Sequence, residues 1–176
     1  MTDGAAVDWN LWTVILLKPD CLHRKLLSPV LAMVAEHLTV LHVTTVFPTE
    51  EQIFAHYADM LTRSAELGRD VPAELRRIYV GKRAAVALGY GPGAALRLRE
   101  LLGPTDPAAA GFDTIRGRFA ADSLAQAAAD GRLIDNVIHS SDTSTAAAGD
   151  FATWYGPGNT HLLRAPIAAH VNGGHR

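Results

Sequence analysis

The segment His139-Ser140-Ser141-Asp142 places an imidazole, two hydroxyls and a carboxylate next to one another. These are the groups of a hydrolase triad. Such a triad is assembled in space from separated segments, so four neighbours at one strand end cannot form it. A serine hydrolase is therefore excluded. A histidine at the end of a strand is more often a structural residue, and this interpretation stays open for His139 on its own.

The glycine-rich motifs of phosphate-binding loops are the next pattern to compare with the sequence. Gly81-Lys82 has Arg76 where a P-loop needs its first glycine, so that motif is absent. The glycine-rich segment at residues 89–94 matches the loose dinucleotide fingerprint and lies between a strand and a helix. However, it does not open a βαβ unit, and Pro92 lacks an N–H that would face an anion. We interpret this segment as a tight turn.

Composition narrows the class of protein further. The eight histidines and one cysteine show no paired zinc-ligand spacing, so the sequence predicts no metal site built from protein ligands. With 16 basic and 18 acidic residues the formal charge is −2, which predicts neither a nucleic-acid nor a membrane partner. Cys21 has no partner for a disulfide within the chain, and residues 1–10 lack the pattern of a signal peptide. We therefore expect a cytoplasmic protein.

Four strands and the helices between them would position these groups. Apolar or Thr- and Val-rich runs predict strands at 13–17, 39–47, 83–90 and 133–139. Helices are predicted to start near Ser28-Pro29, at the Thr49–Gln52 capping box and at Asp70, and to span 92–102 and 144–155. The order predicts an α+β sandwich of the βαββαβ kind, with the helices on one face of the sheet.

Two segments fit this plan poorly. Residues 111–132 join a helix to a strand over an unusually long stretch, which indicates a functional loop or an insertion. Within it, residues 123–129 could form an extra helical turn that ends at Gly131. The last residues, from Asn172 to Arg176, are predicted to be loose.

Five short motifs in order resemble the nucleoside diphosphate kinase family from about residue 12 to 155. They are Lys18-Pro19-Asp20, His56-Tyr57, Arg99 with Thr105-Asp106-Pro107, Thr114-Ile115-Arg116-Gly117, and residues 136–142. The resemblance implies a ferredoxin-like domain with a four-stranded antiparallel sheet at 12–155, including an insertion at about 120–132. Residues 1–11 are then an N-terminal extension and residues 156–176 a C-terminal tail.

The family moves the terminal phosphate of a nucleoside triphosphate to a nucleoside diphosphate by a ping-pong reaction through a phosphohistidine. His139 matches the nucleophile, and imidazole suits that role because one ring nitrogen is free near neutral pH. Asp150 matches the glutamate that orients the nucleophile's ring; because it is one methylene shorter, a longer or water-mediated bond to the ring is open. Ser141 matches the serine that supports this pair. Ser140 replaces the usual glycine.

The remaining site residues follow from the same resemblance. Three cations, Lys18, Arg99 and Arg116, match the phosphate-binding side chains, although a lone Lys or Arg is usually only a solvated surface charge. Further matches are Thr105, a hydroxyl donor to phosphate; Tyr57, which hydrogen-bonds near Lys18 and the transferring group; and Asn136, which contacts ribose. Mg²⁺ is implied as an ion bound through the nucleotide phosphates. A homo-oligomer is also implied.

Departures from the family pattern leave alternatives open. Ala65 stands where the family stacks the base on a phenylalanine, which predicts weak nucleotide binding that depends little on the base. Lys25 replaces a glycine that is usual after the Lys-Pro-Asp motif. The chain is therefore a phosphotransferase of this family, a catalytically weak nucleotide-binding homologue with a regulatory or scaffolding role, or a kinase specialised for an unusual nucleotide.

Overall fold

A single four-stranded antiparallel sheet organises the protein, in the order β2-β3-β1-β4. The computed structural model describes residues 6–166. Its strands are β1 (Trp12–Leu17), β2 (Thr39–Val46), β3 (Ala84–Tyr90) and β4 (Ile138–Ser140). This order, with helical connections between β1 and β2 and between β3 and β4, confirms the predicted α+β class and the ferredoxin-like βαββαβ topology.

Ten α-helices connect and cover the strands within the described residues. They are α1 (Pro19–His23), α2 (Leu27–Ala35), α3 (Glu50–His56), α4 (Ala58–Leu61), α5 (Ser64–Leu67), α6 (Val71–Tyr79), α7 (Ala94–Leu102), α8 (Ile115–Phe119), α9 (Leu124–Ala129) and α10 (Ser144–Tyr155). The capping box predicted at Thr49 and Gln52 is present, and it fixes the start of α3.

The helices lie on both faces of the sheet, so the prediction that they lie on one face is wrong. All six residues of β1 are buried, which requires cover on both sides. Ile15 and Leu17 pack with α2 and α7 against one face. Val14 and Leu16 pack with α3, α6 and α10 against the other. His56, at the end of α3, lies on this face against Asp150 of α10 and against His139 of β4.

Strand β4 is shorter than the predicted strand 133–139 and begins at Ile138. The residues before it are irregular because Val137 has a φ of 60°, in the left-handed region that a β-branched residue rarely enters. The Ile138 N–H donates to the Asn136 carbonyl at 2.7 Å, which closes a γ-turn around Val137. An apolar run such as this one does not show its turn from composition alone.

The long connection before β4 contains the predicted extra helix, α9. An ion pair between Asp122 and Arg132 closes the segment on either side of this helix, at 2.6 Å. The Leu133 N–H donates to Glu74 of α6 at 2.9 Å, so the end of the segment is attached to α6. The predicted looseness of residues 172–176 lies outside the described residues.

The backbone at Lys25 shows why the family has a glycine at this position. Lys25 follows α1 and has a φ of 59°, in the left-handed region where glycine is favoured. The glycine expected at this position would adopt this conformation without steric cost. The lysine therefore carries local strain that the usual residue does not.

Candidate active site

A cavity of about 740 Å³ opens at the edge of the sheet where β4 begins. Among the residues lining it are most of the predicted site residues: Lys18, Tyr57, Arg99, Thr105, Arg116, Asn136, His139 and Asp150. The sequence separates these residues by up to 132 positions, since 150 − 18 = 132. Their convergence at one cavity is the first structural support for a common site.

His139 is the central residue of β4 and pairs with Leu16 of β1. Its ring is partly buried, and the rings of His56 and Tyr57 lie against it with centroid distances of 4.8 and 5.2 Å. Burial lowers the pKa of His139 well below its usual value, and nearby positive charge adds to the shift. At neutral pH the ring is therefore uncharged, as a nitrogen nucleophile must be.

Asp150, on α10, makes no direct hydrogen bond to His139 within the described residues, and its role in orienting the nucleophile stays a prediction. Its Oδ1 is 2.6 Å from His56 Nδ1, and its Oδ2 accepts from the Ser141 hydroxyl at 2.6 Å. The Ser141 hydroxyl therefore holds the Asp150 carboxylate in place. The Ser141 oxygen also accepts from the Val14 N–H at 3.3 Å, which ties α10 to β1. The short aspartate side chain reaches α3 rather than the nucleophile.

Tyr57 does not hydrogen-bond to Lys18. Its hydroxyl is 2.6 Å from the hydroxyl of Tyr79, and both rings are buried. Burial raises the pKa of Tyr57, so the phenol stays protonated over the ordinary pH range. Tyr57 therefore forms a wall of the cavity beside His139, and Tyr79 is the buried hydrogen-bond partner of its hydroxyl.

Lys18 is almost fully buried at the end of β1, where it points towards the segment before β4. Its Nζ donates to the Ile134 carbonyl at 2.9 Å and to Asn136 Oδ1 at 3.0 Å. Asn136 in turn donates to the Thr105 carbonyl at 3.0 Å, and Thr105 is exposed at the rim of the cavity. Burial lowers the pKa of Lys18, and the charge of Asp20 opposes that shift. Lysine and amide are thereby held in place before any ligand arrives.

Arg116 is buried, and Arg99 is exposed. Arg116 donates to the Gly103 carbonyl at 2.9 Å and to the Ile138 carbonyl at 3.1 Å, while its buried Nε has no partner. Arg99 forms an ion pair with Asp142 across the mouth of the cavity, with both side chains more than half exposed. An exposed pair of this kind contributes little to stability, so an anionic ligand can compete for Arg99 at small cost.

Backbone hydrogen bonds at Val137 connect the segment before β4 with the Lys18-Pro19-Asp20 motif. The Val137 N–H donates to Asp20 Oδ2 at 3.0 Å, and its carbonyl accepts from the Lys18 N–H at 2.9 Å. The Lys18-Pro19-Asp20 motif therefore holds the strained turn that leads from Asn136 into β4. The motif positions the site through its backbone and carboxylate as well as its ammonium group.

Ala65 does not line the cavity, and its position as that of a missing base platform stays a prediction. It is an exposed residue of the short helix α5. Apolar walls of the cavity come instead from Met60, Leu75, Ile78 and Leu133.

Sequence reasoning gave no role in the site to His56, Asp142 or Trp154, and none to Tyr79 as the partner of Tyr57. His56 appeared only as half of the His56-Tyr57 pair, and its contact with Asp150 joins residues 94 positions apart. The signal that could have found it is its position at the end of α3, one residue before a predicted site tyrosine. The other three gave no such signal.

Comparison with known proteins identifies the relatives of this arrangement. The family model described as nucleoside diphosphate kinase matches residues 12–160. The chain belongs to this family. A nucleoside diphosphate kinase of Streptococcus thermophilus is 29% identical over 147 residues, which cover 82% of this chain and 97% of the relative. One from Moorella thermoacetica is 30% identical over 146 residues, with coverages of 82% and 94%.

Among solved structures, a nucleoside diphosphate kinase of Borrelia burgdorferi, a transition-state mimic with bound vanadate and ADP, has a TM-score of 0.79. It is 24% identical and covers 89% of this chain and 92% of its own, so this likeness supports the fold alone. Family membership confirms the prediction of a phosphotransferase of the nucleoside diphosphate kinase family. In residues 6–166 no helix is long and apolar enough to cross a bilayer.

Proposed function

We propose that this nucleoside diphosphate kinase homologue carries the transferred phosphate on His139. The observation that supports this most strongly is a partly buried, uncharged imidazole at a cavity that also contains Lys18, Arg99 and Arg116. Phosphoryl transfer needs little covalent chemistry beyond the nucleophile, and most of the rate comes from positioning and positive charge. A nucleoside triphosphate is the ligand that such a set of groups fits.

The reaction has two balanced halves. A lone pair on His139 attacks the terminal phosphorus, an N–P bond forms, and the bridging P–O bond breaks with its electrons leaving on the nucleoside diphosphate. In the second half an oxygen of an acceptor diphosphate attacks the same phosphorus, and the N–P electrons return to the ring. Lys18 and Arg116 hold phosphate oxygens during both halves. Arg99 exchanges Asp142 for phosphate.

The other site residues have supporting roles in this proposal. Thr105, at the rim, donates its hydroxyl to a phosphate, and Asn136 turns its amide towards the ribose when nucleotide binds. Tyr57 confines the ring of His139 and becomes available to the transferring group if its bond to Tyr79 opens. Ser141 keeps Asp150 in place.

A magnesium ion would enter on the nucleotide phosphates. Within residues 6–166 no group of three or more His, Cys, Asp or Glu side chains is arranged to hold a metal, and Asp142, the partner of Arg99, is an exposed carboxylate at the cavity. These residues fit an ion whose ligands are mainly phosphate oxygens and water. When bound, magnesium neutralises phosphate charge, and Asp142 is the side chain of this chain that would face it once released by Arg99.

We also propose that the protein is a homo-oligomer in the cytoplasm. The edge strand β2 has only one hydrogen-bonded neighbour, and the nearby apolar side chains Val43 and Phe47 are 46% and 64% exposed. An unpaired strand edge beside apolar surface is a natural contact for a second copy. Light scattering with Phe47→Asp tests the contact, and a monomeric wild type would contradict it. The cytoplasmic location rests on the single, buried Cys21.

The test of the proposed chemistry is labelling. Incubation with γ-labelled ATP and Mg²⁺ should leave an acid-labile, alkali-stable phosphate on the protein, and added diphosphate should remove it. His139→Ala should abolish both steps. The matched control is His161→Ala, because His161 is exposed and lies outside the cavity. Label that survives in His139→Ala would show that another residue is the nucleophile.

A further inference from the structure

The ring of His56 is held between Asp150 and Trp154 of α10. The side chain of His56 is 1% exposed, and its Nδ1 lies 2.6 Å from Asp150 Oδ1. Since a carboxylate oxygen accepts, Nδ1 carries the hydrogen and donates it. The indole N–H of Trp154 is also directed at this nitrogen, at 3.2 Å. One ring nitrogen cannot donate and accept at once, and the shorter contact with a charged carboxylate oxygen is the stronger of the two. The ring of His56 is therefore fixed in tautomer and orientation.

The second nitrogen of His56 is an unused polar atom. Nε2 is buried and has no hydrogen-bond partner among residues 6–166. With Nδ1–H given to Asp150, Nε2 of the neutral ring presents a lone pair. A buried acceptor without a partner costs free energy, so its persistence calls for an occupant in some state of the protein. The neighbouring ring that can supply a donor is His139, whose centroid is 4.8 Å away in an edge-to-face arrangement.

Other groups near His139 are less able to orient it. Both oxygens of Asp150 are hydrogen-bonded elsewhere, to His56 and Ser141. The Tyr57 hydroxyl is paired with Tyr79. The partly exposed ring of His139 has no hydrogen bond of its own within the described residues, so it can turn to meet a fixed acceptor.

We propose that His56 is a positioning residue for the nucleophile, and that Asp150 acts through it. One ring nitrogen of His139 donates its hydrogen to His56 Nε2, which leaves the other nitrogen with a lone pair directed at the phosphate. When the N–P bond forms, positive charge spreads over the His139 ring. That charge strengthens the donated hydrogen bond, and the Asp150 carboxylate stabilises it through the polarised ring of His56. The proton stays on His139 throughout.

This inference rests on the proposed function, because it needs His139 to be the phosphorylated residue. The chain-specific feature behind it is the short side chain at residue 150. An aspartate there reaches the ring on α3, and an imidazole then spans the distance from α3 to β4. A carboxylate and an imidazole in series replace the single longer carboxylate that the family resemblance implied.

The test uses three substitutions of His56 that separate the roles of its two ring nitrogens. His56→Asn keeps a donor near Nδ1 for Asp150 and removes the Nε2 acceptor. His56→Gln keeps an acceptor near Nε2, and His56→Phe keeps the ring without either nitrogen. For each, the single-turnover rate of His139 phosphorylation by ATP and the Kd of ADP are measured, with His161→Asn as the exposed control.

We expect phosphorylation to slow about 10- to 100-fold in His56→Asn and His56→Phe, the range found when an orienting partner is removed. His56→Gln should recover part of the rate, and the Kd of ADP should stay within about twofold in all three, since no phosphate contact is lost. Ring ¹⁵N shifts should show one tautomer of His139 in the wild type and a mixture in His56→Phe. A purely structural role would not change the tautomer.

A double-mutant cycle tests the role of Asp150. If Asp150 acts through His56, Asp150→Asn should slow the wild type but add nothing in the His56→Phe background. Equal slowing in both backgrounds, or full-rate phosphorylation in His56→Phe, would overturn the inference. If His56→Phe does not fold, the ordering of His56→Gln above His56→Asn decides it. A wild type that is never labelled at His139 would instead refute the proposed function, so the two failures are distinguishable.

Discussion

The ion pair that closes the inserted segment gives the sharpest test of how this segment is held. Asp122 accepts from both terminal nitrogens of Arg132, at 2.6 and 2.9 Å, and from the backbone N–H groups of Ser123 and Asp135, at 2.8 and 3.0 Å. The side chains of Asp122 and Arg132 are 11% and 23% exposed. Asp122→Asn keeps the size of the residue and removes its charge.

The expected loss is about 2 kcal/mol in the free energy of unfolding. Hydrogen bonds to charged groups contribute about 1.5–3 kcal/mol each, whereas exposed ion pairs contribute about 0.2–1. The asparagine oxygen can retain one backbone bond, and Arg132 can keep its contact with Asp130 at 3.1 Å. Partial exposure of the pair reduces the loss further. Although Asp122 accepts four hydrogen bonds, these offsets reduce the expected loss in the free energy of unfolding to roughly that of one hydrogen bond to a charged group.

The pH dependence of the loss follows from the direction of the pKa shift. Hydrogen bonds from Arg132 hold the pKa of Asp122 well below its usual value. A carboxyl with a lowered folded pKa stabilises the protein fully above its unfolded pKa of about 4 and loses that effect as pH falls towards the folded pKa. The difference between wild type and Asp122→Asn should therefore be constant from neutral pH to about pH 5 and shrink in acid.

Urea unfolding of both proteins at neutral pH and at stepwise lower pH measures this difference. Glu66→Gln is the matched control, because Glu66 forms an ion pair with Arg63 in which both side chains are more than half exposed. The control should leave the unfolding midpoint unchanged. A loss below about 0.5 kcal/mol, the range of ordinary surface substitutions, would refute this account of the ion pair, as would a loss that does not shrink in acid.

Three further outcomes are expected. Because burial lowers the pKa of His139, the rate of its phosphorylation should stay level as pH falls past about 6.5. The free energy of unfolding should decline in the same range, since the histidine takes up a proton only in the unfolded chain, and a rate that follows a pKa near 6.5 would contradict this. Lys25→Gly should raise the free energy of unfolding by about 0.5–1 kcal/mol in urea titrations, since it relieves a left-handed lysine, and a loss would mean the side chain has a role of its own. Ala65→Phe should leave the Kd of ADP, measured by calorimetry, unchanged because residue 65 is exposed outside the cavity, and tighter binding would restore it as a base contact.

Sequence reasoning succeeded where local signals decide the structure. The capping box at Thr49 and Gln52 fixes the start of α3, and the boundaries of α10 agree with the predicted helix 144–155. A hydrogen bond from a side chain to its own helix depends only on nearby residues. The order of the strands also followed, since the predicted βαββαβ sequence of elements permits few arrangements.

The same reasoning failed where distant residues decide. Whether Asp150 reaches His139 or His56 depends on how α10 packs against α3, which no motif encodes. The start of β4 was misplaced because tertiary hydrogen bonds hold Val137 in a conformation that its residue type disfavours. Most of the residues named by the family resemblance line one cavity, but the resemblance did not determine which atoms touch.

The left-handed turn at Val137 couples the two ends of the chain. A β-branched residue in this conformation costs about 1–3 kcal/mol, and the bonds from Lys18 and Asp20 hold it there. The turn can therefore form only after β1 and α1 are in place, and it relaxes when they separate. Opening of residues 18–20 would release Asn136 and His139 together, so the site is assembled or lost as one cooperative unit. The backbone amide of Val137 is consequently a hydrogen-exchange reporter for the whole site.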